Sequence, residues 1–365
     1  VRTAGAIYWY DLTAADDQAA VWTSEDGVSW NRIPSEGSGL DGPGGYSIFD
    51  LTAGGPGYVA VGGAVEDGYT GPAIWVSENA LSWTRVDAAG FTAEDRLTAV
   101  VASDEGIVAV GGGPVPAGFY PGPDIWFSSD GWGWQRVETP PSMFFSDVAH
   151  ADWGFIVAGR VDPDFGENVE SFGPMVAISP DGVTWEYVDL TESDTWSGAE
   201  GTAVTAVGDV VVVGGNYRTL DGRDDDRPPA FWTSTDGTNW SLSYLPKLPV
   251  GGIPGADAQI RSLAVTDSGT VAVGGWWPPL ADHTRAYWGR FSGWPEKMRN
   301  AVWVSPPSGE PWREDHDEET FALEELDKEI GTTMGFDDVA VLDGTLVGVS
   351  TVAGEVVVWI GEWTN

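Results

Sequence analysis

The chain has 365 residues and a formal net charge of −39, from 56 acids against 17 bases, and it has no cysteine. A field of that sign repels nucleic-acid backbones and anionic membrane surfaces, so neither is an expected partner. Disulfides, iron–sulfur ligation and thiol nucleophiles are excluded, and no apolar run is long enough to predict membrane insertion.

The first strand-like run is Ala6-Ile7-Tyr8-Trp9-Tyr10. Ala20-Val21-Trp22 follows, and then Ser24-Glu25-Asp26-Gly27-Val28-Ser29-Trp30. That phrase returns down the chain. It is worn at Ser77-Glu78-Asn79-Ala80-Leu81-Ser82-Trp83 and intact at Ser128-Ser129-Asp130-Gly131-Trp132-Gly133-Trp134. It recurs at Ser179-Pro180-Asp181-Gly182-Val183-Thr184-Trp185 and Ser234-Thr235-Asp236-Gly237-Thr238-Asn239-Trp240, and again in worn form from Ser305 to Trp312. The leading serines are 53, 51, 51, 55 and 71 residues apart, a period that suits one four-stranded propeller blade.

A short apolar run ending in Trp-x-Ser precedes most copies, and a second short run follows, so each phrase reads as a tight hairpin. Asp and Gly suit the turn because it needs positive φ and local side-chain hydrogen bonds. A second hairpin completes each unit, as in Leu97 to Ser103 turning into Ile107-Val108-Ala109-Val110-Gly111-Gly112. Two hairpins make four strands, A to D, with the Asp-Gly turn between C and D.

The phrase resembles the Asp-box, or BNR, repeat of sialidase-like propellers, sortilin-type receptors and photosystem II assembly factors. The resemblance spans nearly the whole chain and implies an all-β fold, a β-propeller forming one domain over residues 1–365. Unit one lacks strand A and the tail, after Val356-Val357-Val358-Trp359-Ile360, lacks a full strand D. Seven four-stranded blades are expected. The alternative is six, closed by tail strands A and B pairing with N-terminal strands C and D.

Length varies mainly in the B–C and D–A loops, which share one face, the usual layout of a propeller binding surface. The longest B–C insertion, 276–300, holds Trp276, Trp277, Tyr287, Trp288, Phe291 and Trp294 beside Arg285 and Arg290. Such residues dominate binding hot spots, so the expected ligand is a protein or glycan. The alternative is that the loop folds back onto the protein's own acids. Two acidic B–C loops, with Asp162, Asp164 and Glu167 in one and Asp221, Asp224 and Asp226 in the other, offer oxygen ligands suited to calcium. Neither matches an EF-hand loop, and a solvated loop is the plainer reading; no other cofactor is expected.

The repeated turn aspartates read as structural, because one active site does not need several copies. Arg32-Ile33-Pro34 resembles the Arg-Ile-Pro motif of sialidases but follows a turn phrase where that family's motif precedes one. Arg85 and Arg136 hold the same repeat position, which makes Arg32 a blade-edge residue. The expectation is a non-catalytic binding or scaffold propeller, secreted or at the cell surface. A sialidase-like glycoside hydrolase is the alternative, for which the sequence reveals no carboxylate pair. The start at Val1 rather than Met points to processing or truncation.

Overall fold

In the computed structural model, the described residues are 2–5, 19–27, 29–42, 45–66, 69–87, 90–92, 95, 97–112, 124–140, 143–161, 172–191, 199–216, 228–244, 257–266, 269–277, 299–305, 313–314, 336–342, 345–352 and 355–362. They form seven antiparallel sheets in chain order. Sheet 1 is β1 (Arg2–Gly5), β2 (Val21–Ser24) and β3 (Asn31–Arg32). Sheet 2 is β4 (Gly45–Gly54), β5 (Gly57–Glu66), β6 (Tyr69–Ser77) and β7 (Thr84–Val86). Sheet 3 is β8 (Ala99–Ala102), β9 (Ile107–Gly111), β10 (Asp124–Ser128) and β11 (Gln135–Val137). Sheet 4 is β12 (Met143–Ala151), β13 (Gly154–Val161), β14 (Gly173–Ser179) and β15 (Glu186–Asp189).

Sheet 5 is β16 (Glu200–Val207), β17 (Val210–Asn216), β18 (Pro229–Ser234) and β19 (Ser241–Tyr244). Sheet 6 is β20 (Asp257–Thr266), β21 (Gly269–Trp277), β22 (Arg299–Ser305) and β23 (Arg313–Glu314). Sheet 7 is β24 (Phe336–Leu342), β25 (Thr345–Val352) and β26 (Glu355–Glu362). Every sheet is a meander, each strand pairing with its sequence neighbour. The tail strands build their own sheet rather than joining β2 and β3, so the six-bladed closure is not the one formed. One expectation shifts: strand B of the first sheet is Arg2–Gly5, in register with β2, and residues 6–10 lie outside the described residues. Pairing there follows main-chain register, whereas the apolar run had pointed to the neighbouring stretch.

The first strands of successive sheets touch from β4 through β8, β12, β16 and β20 to β24, so they line the hub. The core lies between sheets, as six apolar layers that each join two neighbours. Trp75, Trp126, Trp232 and Trp303, one per C strand, are the largest fully buried side chains. These repeat tryptophans pack between sheets. Trp132 is the exception, 48% exposed at the tip of its turn.

The Ser-x-Asp-Gly-x-x-Trp turns share one bonding scheme. The serine Oγ accepts from the glycine N–H at 2.8–3.0 Å in all four intact copies. The tryptophan Nε1 donates back to the glycine carbonyl at 2.8–3.1 Å. In three copies the aspartate Oδ1 accepts from the two N–H groups that follow the glycine. Those bonds hold the Asp130 and Asp181 carboxyls below the usual range and lower Asp236 to about 2. These aspartates serve the turn, and they sit on the face opposite the long loops.

Candidate functional site

Two places gather polar chemistry: the hub and the face where the B–C and D–A loops emerge. At the hub, Asp50 on β4, Asp147 on β12 and Asp338 on β24 each follow a β-bulge. A bulge turns an otherwise sideways residue toward the neighbouring strand. Asp50 Oδ2 accepts from Val100 N on the next sheet at 2.7 Å, and Asp147 Oδ2 accepts from Val204 N on its next sheet at 2.8 Å. Ser262 does the same on β20: its Oγ donates to Asp338 Oδ1 at 2.5 Å and accepts from Val339 N at 3.3 Å. Thr202 Oγ1 donates to the Ile260 carbonyl at 2.6 Å.

Burial raises Asp50 to about 7, reinforced by the charges of Asp147 and Asp338. Burial also raises Asp147 to about 7, with Asp338 adding to it. Both are half-buried. The sequence reading missed these acids. Their signal was there in retrospect: Phe49-Asp50, Ser146-Asp147 and Asp337-Asp338 fall at one place in strand A, where an acid within an apolar run is unusual.

On the loop face, Arg85, Arg136 and Arg160 are each tied to their own blade or to the next. Arg85 donates to Tyr46 Oη at 3.2 Å and lies 5.2 Å from that ring. Arg160 sits 4.6 Å from both the Phe144 and Phe172 rings and bonds Glu200 at 2.7 Å. Arg136 reaches Asp124 directly and Asp95 at 3.4 Å. Asp124 is fully buried and Asp95 is 3% exposed. Burial and then the neighbouring Asp95 push Asp124 up to about 7. Both carboxylates are buried, and Arg136 is the cation that reaches them. Arg32, Arg85 and Arg136 pair in register with Trp22, Trp75 and Trp126, which makes Arg32 the blade-edge residue its repeat position indicated.

Of the expected ligand residues, Trp276 and Trp277 end β21, where Trp276 pairs with Ala258 and Arg299 and Trp277 with Asp257. Arg285, Tyr287, Trp288, Arg290, Phe291 and Trp294 lie outside the described residues. So do all six carboxylates proposed for calcium: Asp162, Asp164, Glu167, Asp221, Asp224 and Asp226. Among the described residues, no group of three or more His, Asp or Glu is placed to hold a metal ion. No described helix is long and apolar enough to cross a membrane.

No family model matches the chain, and no curated protein does. Solved structures do match. The structure of YCF48 bound to D1 peptide aligns over 96% of this chain and 89% of its own, at 13% identity and a TM-score of 0.52. The chain is a β-propeller. More distant alignments include an α-L-arabinanase of Penicillium chrysogenum complexed with arabinobiose, over 86% of this chain and 93% of its own, at 13% identity and a TM-score of 0.49. A Trypanosoma rangeli sialidase in complex with the inhibitor DANA aligns over 75% of this propeller and 50% of its own chain, at 15% identity and 0.42.

Proposed function

We propose that this propeller is a non-catalytic binding module. In this reading it acts outside the cytoplasm or at a cell surface and takes a protein segment, with a glycan as the second ligand class, on its B–C/D–A loop face. The observation that carries the proposal is the state of the ionisable groups. Asp50 and Asp147 clasp neighbouring sheets, Asp95 and Asp124 are paired with Arg136, and Arg160 is held by Glu200 and two rings. Catalytic acids must reach substrate with a matched pKa. The raised pKa of Asp124 would suit a hydrolase in value, but its carboxyl is fully buried among the described residues.

A protein ligand is favoured over a glycan on two grounds. YCF48, of the same fold, is bound to D1 peptide, a precedent for the fold and not for this chain's partner. The net charge of −39 also speeds encounter with a cationic segment. The test is panning a random-peptide display library and a glycan array against the intact protein and a Trp276→Ala/Trp277→Ala/Trp288→Ala variant. Peptides captured by the intact protein and lost from the variant support the reading. Peptides bound equally by both, or sugar release from a sialoside by the intact protein, overturn it.

A further inference from the structure

The A–B and C–D turns share the face opposite the long loops. Among the described residues six large apolar side chains are exposed, and five of them stand in those turns: Leu81, Trp132, Val183, Val207 and Val210. Leu81, Trp132 and Val183 hold one place in the turn phrase of sheets 2, 3 and 4. Val207 and Val210 face each other across the A–B turn of sheet 5, 55% and 43% exposed. Isolated exposed apolar residues are ordinary, whereas a concentration of them rimmed by polar groups marks a contact surface.

The repeat supplies an internal control. In sheets 2, 3, 4 and 6 the residue before the turn serine's strand-B partner is a glycine: Gly57, Gly106, Gly154 and Gly269, at φ +134° to +148°. In sheet 5 that place belongs to Val210, which precedes Val211, the partner of Ser234. The positive φ moves to Gly208, at +61°, and a valine side chain stands where the repeat has none. Two facing valines strengthen a hairpin, yet the four sister hairpins carry a glycine there. Neighbouring turns hold the pair in a fixed frame. Asp152 N donates to the Gly208 carbonyl at 2.7 Å, and Trp153 Nε1 donates to the Asp209 carbonyl at 3.0 Å. Trp153 is half-buried beside the valine turn, and Asp152 and Asp209 are exposed. No Lys or Arg stands in any described A–B or C–D turn, so the ground around the valines is of one sign.

We propose that the turn face of sheets 4 and 5 docks a cationic polypeptide segment that alternates Lys or Arg with an apolar side chain. The apolar side chain lies on Val207, Val210 and Trp153, and the cations pair with Asp152 and Asp209. Charge complementarity selects this occupant. A second copy of this chain would bring its own −39 against the same acids, and an anionic membrane is repelled likewise. The exposed crests of Leu81, Trp132 and Val183 extend the same chemistry, apolar tips on acidic turns, around the rim. This surface lies opposite the loop face, so it stands independently of the function proposed above.

The test titrates the ¹⁵N-labelled full chain, at about 150 mM salt, with the peptide acetyl-Lys-Leu-Lys-Lys-Leu-Lys-amide and, separately, with the same peptide carrying serine for both leucines. A saturable movement of the Trp153 indole N–H signal is expected with the leucine peptide, and about tenfold weaker binding with the serine peptide. Val207→Ser/Val210→Ser changes exposed side chains only and is expected to bring the leucine peptide down to the affinity of the serine peptide. Asp152→Asn/Asp209→Asn is expected to weaken both peptides and to flatten their salt dependence. Trp276→Ala/Trp277→Ala, on the opposite face, is expected to leave the Trp153 response unchanged. A Trp153 signal that does not move would overturn the proposal. So would equal binding of the two peptides, which is attraction by net charge alone, an affinity unchanged in either turn variant, or a response lost in the loop-face variant.

Discussion

Asp147 on β12 accepts a hydrogen bond from the main-chain N–H of Val204 on β16 at 2.8 Å, and Asp50 repeats the relation with Val100 two sheets earlier at 2.7 Å. Each carboxyl therefore clasps one blade to the next, and each has its pKa raised from 3.8 to about 7. Between those values the folded chain keeps protons that the unfolded chain has released. The stability they contribute is fully present below pH 4 and is lost as pH rises through 7. Asp50→Asn/Asp147→Asn keeps the acceptor oxygens and removes the titration. In urea unfolding the double variant is expected to match the parent near pH 4.5 and to exceed it at pH 8. Parallel pH profiles for the two proteins would remove the clasp from the account. Asp147→Ala leaves the Val204 N–H without its partner and is expected to cost about 1–3 kcal/mol near pH 4.5, and less at pH 8, where the parent has lost the contribution of the protonated acid.

The turn aspartates act with the opposite sign. Main-chain N–H groups lower Asp130, Asp181 and Asp236 below 3.8, so their contribution is present above that value and is lost as pH falls through the lowered ones. Asp130→Asn/Asp181→Asn/Asp236→Asn is expected to lose less melting temperature between pH 5 and pH 2.5 than the parent. Differential scanning calorimetry at the two pH values decides this, and equal losses would assign acid unfolding to other groups.

The worn turn at Ser77 keeps the geometry of the intact ones with different residues. Asn79 Oδ1 accepts from the N–H groups of Leu81 and Ser82 at 2.8 and 3.0 Å, in the role of the missing aspartate. Ala80 takes φ +62°, where the intact turns place glycine at +71° to +81°. For Ala80→Gly, relief of left-handed strain is offset by the lost buried methyl and the freer unfolded chain, so stability is expected to move by less than about 0.5 kcal/mol. Gly237→Ala adds that strain, and the new Cβ would meet the Trp153 ring at 2.6 Å. A loss of about 2 kcal/mol is expected there. Chemical denaturation of both variants checks the contrast, and similar effects would mean that the turn does not set the backbone angle.

The fold was legible because the repeat writes it several times over: Trp22, Trp75, Trp126, Trp232 and Trp303 mark the C strands, and the Asp-Gly turns mark where each ends. Sheet 1 was less legible, since β1 is the small-residue stretch Arg2–Gly5, which pairs by main-chain register alone. The site was hardly legible. Asp50, Asp147 and Asp338 become neighbours only when strands from sheets 2, 4 and 7 meet at the hub, and no linear spacing announces that. Asp95 and Asp124 are 29 positions apart in sequence and are joined through Arg136. Trp153 lies outside the repeat phrase, yet its Nε1 bonds the Asp209 carbonyl at 3.0 Å and ties turns of adjacent sheets together.

The Arg136 cluster offers a test in which the protein supplies its own alternative. Sheet 3 buries Asp124 and Asp95 under Arg136, whereas sheet 5 places Ala230 and Leu242 at the positions of Asp124 and Arg136. Arg136→Leu strands two buried acids without their cation. A loss of about 2–4 kcal/mol is expected at pH 8, below that of a fully buried pair because Arg136 is 47% exposed. The loss shrinks at pH 5.5, where Asp124, already raised to about 7, takes up a proton. Asp124→Ala/Arg136→Leu copies sheet 5 at these two positions and is expected to recover the part of the loss that comes from Asp124, while Asp95 stays buried without its cation. A double-mutant cycle by urea unfolding measures this. Additive single effects would show that Arg136 packs on Trp126 without neutralising the acids.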